Sequence, residues 1–88
     1  MTFWDHFNQS IEFPQSLTNI TIGNFFNQPI ILPPNLTHIT FGYYFNHPLQ
    51  FPNKLEYIKV SKNYNQIIDI ETIPASVKFY IDEKLIVL

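Results

Sequence analysis

A 19-residue repeat constrains the fold of this chain more than any other feature of its sequence. An aromatic–asparagine pair occurs four times, each copy one repeat period after the last, as Phe7-Asn8, Phe26-Asn27, Phe45-Asn46 and Tyr64-Asn65. Apolar positions keep the same step, at Leu17, Leu36 and Leu55 and at Ile20, Ile39 and Ile58. A fixed period of about 20 residues is typical of solenoids, in which each coil buries its apolar side chains against its neighbours. The sequence therefore predicts a stack of short coils.

The repeat divides the 88 residues, taken as one domain over 1–88, into full and partial units. The predicted units are 1–12 (partial), 13–31, 32–50, 51–72 and 73–88 (partial). The unit 51–72 is longer, because the step from Phe51-Pro52 to Ile73-Pro74 exceeds the repeat period by three positions. Strand-like residues at 77–81 and 85–88 flank Asp82-Glu83-Lys84, and this pattern predicts a C-terminal hairpin that caps the last coil.

Each unit is predicted to contribute one short parallel strand. Leu17, Ile20 and Ile22 have the spacing L-x-x-L-x-L of a leucine-rich repeat, whose strands line one side of the solenoid. Alternation along the strand turns Asn19 and Thr21 to the opposite side from the isoleucines. The glycine that follows the strand is expected to permit a turn. Because no unit contains a helix-length amphipathic pattern, we expect a mainly β, leucine-rich-repeat-like solenoid of about three full coils plus partial end units.

The aromatic–asparagine pair is predicted to have a structural role. The ring fills the coil on the side away from the strand. The asparagine amide, which carries both a donor and an acceptor, hydrogen-bonds the backbone of the next coil where the chain bends. Stacked through the solenoid, these positions form a structural ladder of Phe7, Phe26, Phe45 and Tyr64 beside Asn8, Asn27, Asn46 and Asn65.

The repeat unit resembles a known family. Residues 17–23, Leu-Thr-Asn-Ile-Thr-Ile-Gly, followed by residues 26–30, Phe-Asn-Gln-Pro-Ile, are similar to the FNIP repeat, a leucine-rich-like repeat with a Phe-Asn signature. Residues 36–42 and 45–49 match the same pattern, and the resemblance covers roughly residues 3–81. Such proteins are typical of social amoebae and of giant DNA viruses that infect them. Some also carry an F-box, for which this chain has no room, so the resemblance implies a fold more than an activity.

Charge and composition exclude several classes of function. Charged residues make up 14% of the chain, arginine is absent, and all five lysines lie in the C-terminal half, so no basic stripe predicts a nucleic-acid partner. There is no cysteine, and the histidines His6, His38 and His47 occupy different repeat positions, so we expect no metal site and no cofactor. The carboxylates of Asp5, Asp69 and Glu71 have no nearby nucleophile or phosphate loop. The sequence therefore predicts no catalytic residue and no enzyme.

The N-terminus indicates the expected compartment. Residues 1–6 contain no basic segment followed by an apolar run, and no apolar stretch approaches the roughly 18 residues of a membrane span. The sequence predicts an intracellular, cytoplasmic protein that does not bind membranes.

The outward side of the strands is the best candidate for a binding site, because solenoids usually bind protein partners through such faces. The predicted face consists of Trp4, Asn19, Thr21, His38, Thr40, Tyr57 and Lys59. Threonines at these positions are also what β-propensity alone would favour. The hypothesis is a protein–protein interaction module whose partner is unknown. The alternative is a truncated remnant of a larger repeat array with no independent activity.

Self-association is a further expectation from the sequence. Residues 1–4 are predicted to form a strand that no repeat precedes, with the apolar side chains of Phe3 and Phe7 in the same end layer. Neither charge nor proline protects this edge, and unprotected edges pair with other chains.

Overall fold

The computed structural model describes residues 1–66, 70–75 and 77–86, and this part of the chain is mainly β. Five strands form one sheet in sequence order: β1 (Asn19–Thr21), β2 (His38–Thr40), β3 (Tyr57–Val60), β4 (Lys78–Ile81) and β5 (Lys84–Ile86). Strands β1 to β4 pair in parallel, and β5 returns antiparallel to β4. A 3₁₀ turn at Ile70–Thr72 lies in the long third unit. The predicted mainly β, leucine-rich-repeat-like solenoid is therefore confirmed.

The repeat period sets the register of the first three strands but not of the fourth. Ile20 pairs with Ile39, and Ile39 pairs with Ile58, each one period further along the chain. Ile58 then pairs with Phe79, which lies two positions beyond the next period. The step from Pro52 to Pro74 exceeds the period by three positions, so the unit 51–72 gains three residues in its return segment, and the last unit has one residue fewer between Pro74 and the strand.

The core lies between the sheet and the return segments of the coils. Most of its buried side chains occupy repeat-equivalent positions: Ile20, Ile39, Ile58 and Phe79; Ile22, Phe41 and Val60; Phe26 and Phe45; Leu36, Leu55 and Val77. Ile30 and Ile73, at two different repeat positions, complete it. Burying one such side chain contributes roughly 1.5–3 kcal/mol, so a slip by one residue would expose a complete row. Equivalent side chains in the first coil, including Phe3, Phe7 and Leu17, are only half-buried, because that coil contacts one neighbour.

Stacked rings and apolar grooves lie behind the sheet. The rings of Phe7, Phe26, Phe45 and Tyr64 stack between successive coils, with centroids 6.0, 6.2 and 6.0 Å apart. The return segments leave apolar grooves between them, of about 370 and 430 Å³, and the side chain of Ile31 between these grooves is 89% exposed.

Gly23 and Gly42 are required for close approach of the coils, not for a turn. A turn does follow each glycine, but neither has a positive φ, so the turn does not depend on a left-handed glycine backbone. A Cβ on Gly42 would overlap the backbone carbonyl of Gly23, and a Cβ on Gly23 would overlap that of Trp4. The coil that follows Gly42 has Ser61 at this position, and the Ser61 hydroxyl accepts a hydrogen bond from the backbone of Asn63.

The two ends of the sheet differ from the expected strands. At the N-terminus, the predicted strand 1–4 is reduced to one parallel bridge between Thr2 and Thr21, because the chain turns at Trp4, whose carbonyl accepts a hydrogen bond from Phe7 N. At the C-terminus the predicted hairpin forms, but β4 is itself a parallel strand of the solenoid, so only β5 caps the sheet. Val87 and Leu88, which the prediction included, lie outside the described residues.

Candidate partner-binding face

Two rows of side chains cover the outward side of the sheet. Strand register aligns Asn19, His38, Tyr57 and Lys78 in one row and Thr21, Thr40, Lys59 and Tyr80 in the other. We refer to these eight residues as the strand face. Six of the seven residues predicted for a binding face lie here. Lys78 and Tyr80 were not predicted, because the sequence assigned them to the cap; the strand-like pattern of residues 77–81 was the available signal.

Hydrogen bonds at the starts of β1 and β2 orient the first two side chains of the first row. The Thr37 hydroxyl donates to the carbonyl of Thr18 (3.0 Å), and its oxygen lies 2.8 Å from His38 Nδ1. This contact between the Thr37 hydroxyl and the imidazole fixes the orientation of the His38 ring at the start of β2. Asn19 Nδ2 makes the matching contact with the Thr18 hydroxyl in the preceding coil.

The C-terminal half of the strand face is aromatic and charged. His38 stacks on Tyr57 with ring centroids 6.0 Å apart, and Tyr57 packs on Tyr80 at 5.4 Å. Lys59 forms an ion pair with Glu83, which is part of the β4–β5 turn. The hydrogen bond and the charge of Glu83 raise the pKa of the Lys59 ammonium above its usual value. Lys59 is thus held in place across the sheet, whereas the exposed Lys78 forms no ion pair with any described residue.

Trp4 lies outside the strand face. It follows the Thr2 bridge and packs edge-on against His6, with ring centroids 6.0 Å apart. His6 stacks on Phe25 (4.9 Å), Phe25 on Tyr44 (5.3 Å), and Tyr44 packs edge-on against Tyr43 (5.0 Å). We name these five residues, Trp4, His6, Phe25, Tyr43 and Tyr44, the aromatic ridge. Its signal in the sequence was the repeat spacing of His6, Phe25 and Tyr44, which occupy one repeat position in successive coils.

The asparagine positions form hydrogen bonds between successive coils. The side-chain Oδ1 of Asn8 accepts from Asn27 N (2.8 Å), that of Asn27 from Asn46 N (3.0 Å), and that of Asn46 from Asn65 N (3.1 Å). The residue after each asparagine also contacts the asparagine of the preceding coil. Gln28 Nε2 donates to Asn8 Oδ1, Gln66 Nε2 donates to Asn46 Oδ1, and His47 Nε2 lies 3.1 Å from Asn27 O. The side chains are exposed or half-buried, so each amide satisfies a backbone N–H at the edge of the core.

Side chains that could carry chemistry are dispersed among the described residues. They contain no cluster of three or more His, Asp or Glu side chains that could hold a metal ion. Asp5 lies beside the aromatic ridge and Glu71 lies in the 3₁₀ turn, far apart in the sequence, while Asp69 is outside the described residues. Burial raises the pKa of Tyr64, whose hydroxyl donates to His47 O. Within the described ranges, no helix has the length and apolar character that crossing a membrane requires.

The repeat geometry agrees with a family comparison. The FNIP repeat matches residues 7–44, 26–62 and 45–80, in overlapping spans whose starts are one repeat period apart. The chain belongs to the FNIP repeat family. No curated protein matches this FNIP repeat chain.

A solved structure shows the same fold. The chain is similar to CroV588, described as a novel circular leucine-rich-repeat protein structure and belonging to the giant virus CroV. The two share 34% sequence identity with a TM-score of 0.61 over 86% of this chain. This FNIP repeat chain spans only 16% of that protein's length.

Proposed function

We propose that this FNIP repeat chain is a non-catalytic scaffold that binds a protein partner through the strand face. The observation that carries the proposal is the alignment of eight outward side chains into two continuous rows by the parallel register of β1 to β4. Repeat proteins of the FNIP and leucine-rich kinds are typically non-catalytic, which supports a scaffold role.

The chemistry of the rows supports binding to a protein surface. Tyr57 and Tyr80 are half-buried and packed on each other, so they present large rigid rings at little cost in side-chain entropy. Tyrosine is enriched among interface residues that dominate binding energy. In the strand register Lys78 is the partner of Tyr57, and Lys59 is the partner of Tyr80. Thr21 and Thr40 are paired in the same row as Lys59 and add polar side chains.

The test is affinity capture from the native cell with the 88-residue chain as bait. The variant Tyr57→Ala/Lys59→Glu removes one ring and reverses one charge at the centre of the strand face. The matched control, Lys54→Glu, makes the same charge reversal outside the strand face and outside the aromatic ridge. We expect a protein that the unmodified chain and the control retain and that the strand-face variant loses, with unchanged far-ultraviolet circular dichroism spectra. Equal retention by both variants would move the binding site away from the strand face.

A further inference from the structure

The aromatic ridge is an exposed apolar patch that the proposed function leaves unexplained. His6, Phe25 and Tyr44 are stacked within 24° of parallel, and Trp4 and Tyr43 pack edge-on at the two ends. Trp4 is 69% exposed, and Phe25, Tyr43 and Tyr44 are 44%, 45% and 51% exposed. Stacking between coils accounts for the covered ring faces. It does not account for an indole left in solvent, and contiguous exposed apolar patches commonly mark interaction sites.

The ridge carries an acid at one end and a base at the other. One repeat column beside the rings contains Asp5, Asn24, Tyr43 and Lys62, one from each successive coil. Asp5 Oδ1 accepts a 3.4 Å hydrogen bond from Asn24 N, and Asp82 Oδ1 accepts one from Lys62 N. Neither the Asp5 carboxylate nor the Lys62 ammonium forms an ion pair with the residues that the structure describes.

The ridge also has a projecting side chain and a groove in a single repeat column. Trp4, Gly23, Gly42 and Ser61 occupy this column, so the first coil has an indole where the later coils have small residues. Beside the small residues lies a shallow groove of about 270 Å³, lined in part by Gly42, Tyr43, Ser61 and Asp82. The Asp82 carboxylate at its edge is an acceptor for an indole N–H, which buried tryptophans normally pair.

We propose that two copies of this chain associate through the aromatic ridge, antiparallel about a twofold axis. A twofold axis across the middle of the ridge places the first coil of one copy opposite the fourth-coil turn, at Ser61 and Lys62, of the other. It sets Trp4 over the groove beside Ser61 of the second copy, Asp5 opposite Lys62, and Phe25 opposite Tyr44. An isologous contact makes every such pairing occur twice.

A second copy fits this surface better than an unrelated protein, because one symmetry operation matches three independent features. The projecting indole meets a groove, the acid meets the base, and apolar rings meet apolar rings. The contact involves about four coils of a small protein, so it is expected to be weak and reversible. The groove extends to Thr40 and Lys59 at the margin of the strand face, and the rest of that face stays open for a different partner.

The test uses Trp4, the single tryptophan of the chain, as its own reporter. Sedimentation velocity and tryptophan emission are measured from about 1 µM to about 1 mM, which spans the affinities of transient contacts. We expect a monomer–dimer equilibrium accompanied by a shift of Trp4 emission to shorter wavelength. Asp5→Lys and Lys62→Asp should each weaken the dimer about tenfold, because each creates two like-charge contacts. The double exchange Asp5→Lys/Lys62→Asp should restore affinity to within about twofold of the unmodified chain.

Two controls separate the aromatic ridge from other contacts. Glu12→Lys makes the same charge change as Asp5→Lys but lies in a return segment, and it should leave the dimer intact. Phe3→Lys blocks end-on stacking of first coils, the contact that the sequence suggested, and the ridge dimer should survive it when circular dichroism shows a folded chain. A monomer across the whole concentration range, loss of the dimer in Phe3→Lys, or no restoration by the double exchange would each overturn the proposal.

Discussion

Replacing Asn46 by alanine tests whether the asparagine ladder stabilises the stack. Asn46 Oδ1 accepts from Asn65 N at 3.1 Å and from Gln66 Nε2 at 3.2 Å. Alanine removes this oxygen. Gln66 retains the Asn46 carbonyl, also at 3.2 Å, whereas the backbone N–H of Asn65 loses the acceptor that the ladder provides. The Asn46 backbone can still donate to Asn27 Oδ1, because that contact does not use the Asn46 side chain.

The magnitude follows from what is lost. One hydrogen bond contributes about 0.5–1.5 kcal/mol net, and the backbone N–H of Asn65 that loses its acceptor adds a penalty that is partial here because Asn65 is exposed. We expect Asn46→Ala to lower the free energy of unfolding by about 1–2 kcal/mol. With an m-value of about 1 kcal/mol/M for a small protein, the urea midpoint falls by about 1–2 M.

Two further variants make the measurement specific. Asn46→Asp keeps an oxygen at the accepting position and should retain most of the stability near neutral pH. Asn53→Ala, at an exposed asparagine whose side chain makes no hydrogen bond to the described residues, should change the free energy by less than about 0.5 kcal/mol. Urea unfolding followed by circular dichroism gives all three values. Equal midpoints for Asn46→Ala and Asn53→Ala would refute the ladder, and equal losses in Asn46→Ala and Asn46→Asp would refute the role of the accepting oxygen.

Three other substitutions test particular contacts. Gly42→Ala should destabilise the protein by about 1–3 kcal/mol, because its Cβ meets the Gly23 carbonyl of the preceding coil; a neutral or stabilising result in thermal unfolding would contradict the close approach. Tyr64 has a raised pKa in the folded state, so its contribution to stability is complete below the unfolded value of about 10 and is lost as pH rises further; Tyr64→Phe should make the alkaline loss shallower in urea titrations at several pH values. Asp82 has a φ of 51° and accepts a hydrogen bond from Lys62 N, so Asp82→Ala should lower the free energy of unfolding by about 1–3 kcal/mol. Asp82→Asn should lower it less, because asparagine tolerates the same backbone conformation and keeps an acceptor. An equal loss for the two variants in chemical denaturation would exclude both explanations.

The sequence by itself determined the repeating parts of this protein. A constant repeat period places Ile20, Ile39 and Ile58 in the same environment, because each coil stacks on a copy of itself and the alternation of a strand turns the same side chain inward each time. The same period predicted which residues share the strand face in its first three coils. Local pattern was sufficient there because every contact between coils joins equivalent positions.

The tertiary structure decided the features that do not follow from the repeat period. Phe79 pairs with Ile58 two positions beyond the regular step, because the unit 51–72 is longer than the others. This pairing of β4 with β3 places Lys78 and Tyr80 on the strand face. Lys59 forms an ion pair with Glu83, 24 residues further along the chain, a separation that is not a multiple of the repeat period. The glycines proved to serve coil contact because a φ angle and a neighbouring carbonyl are properties of the folded backbone. Trp4 occupies the glycine position of its repeat, and only the turn of the first coil decides that its indole points to solvent.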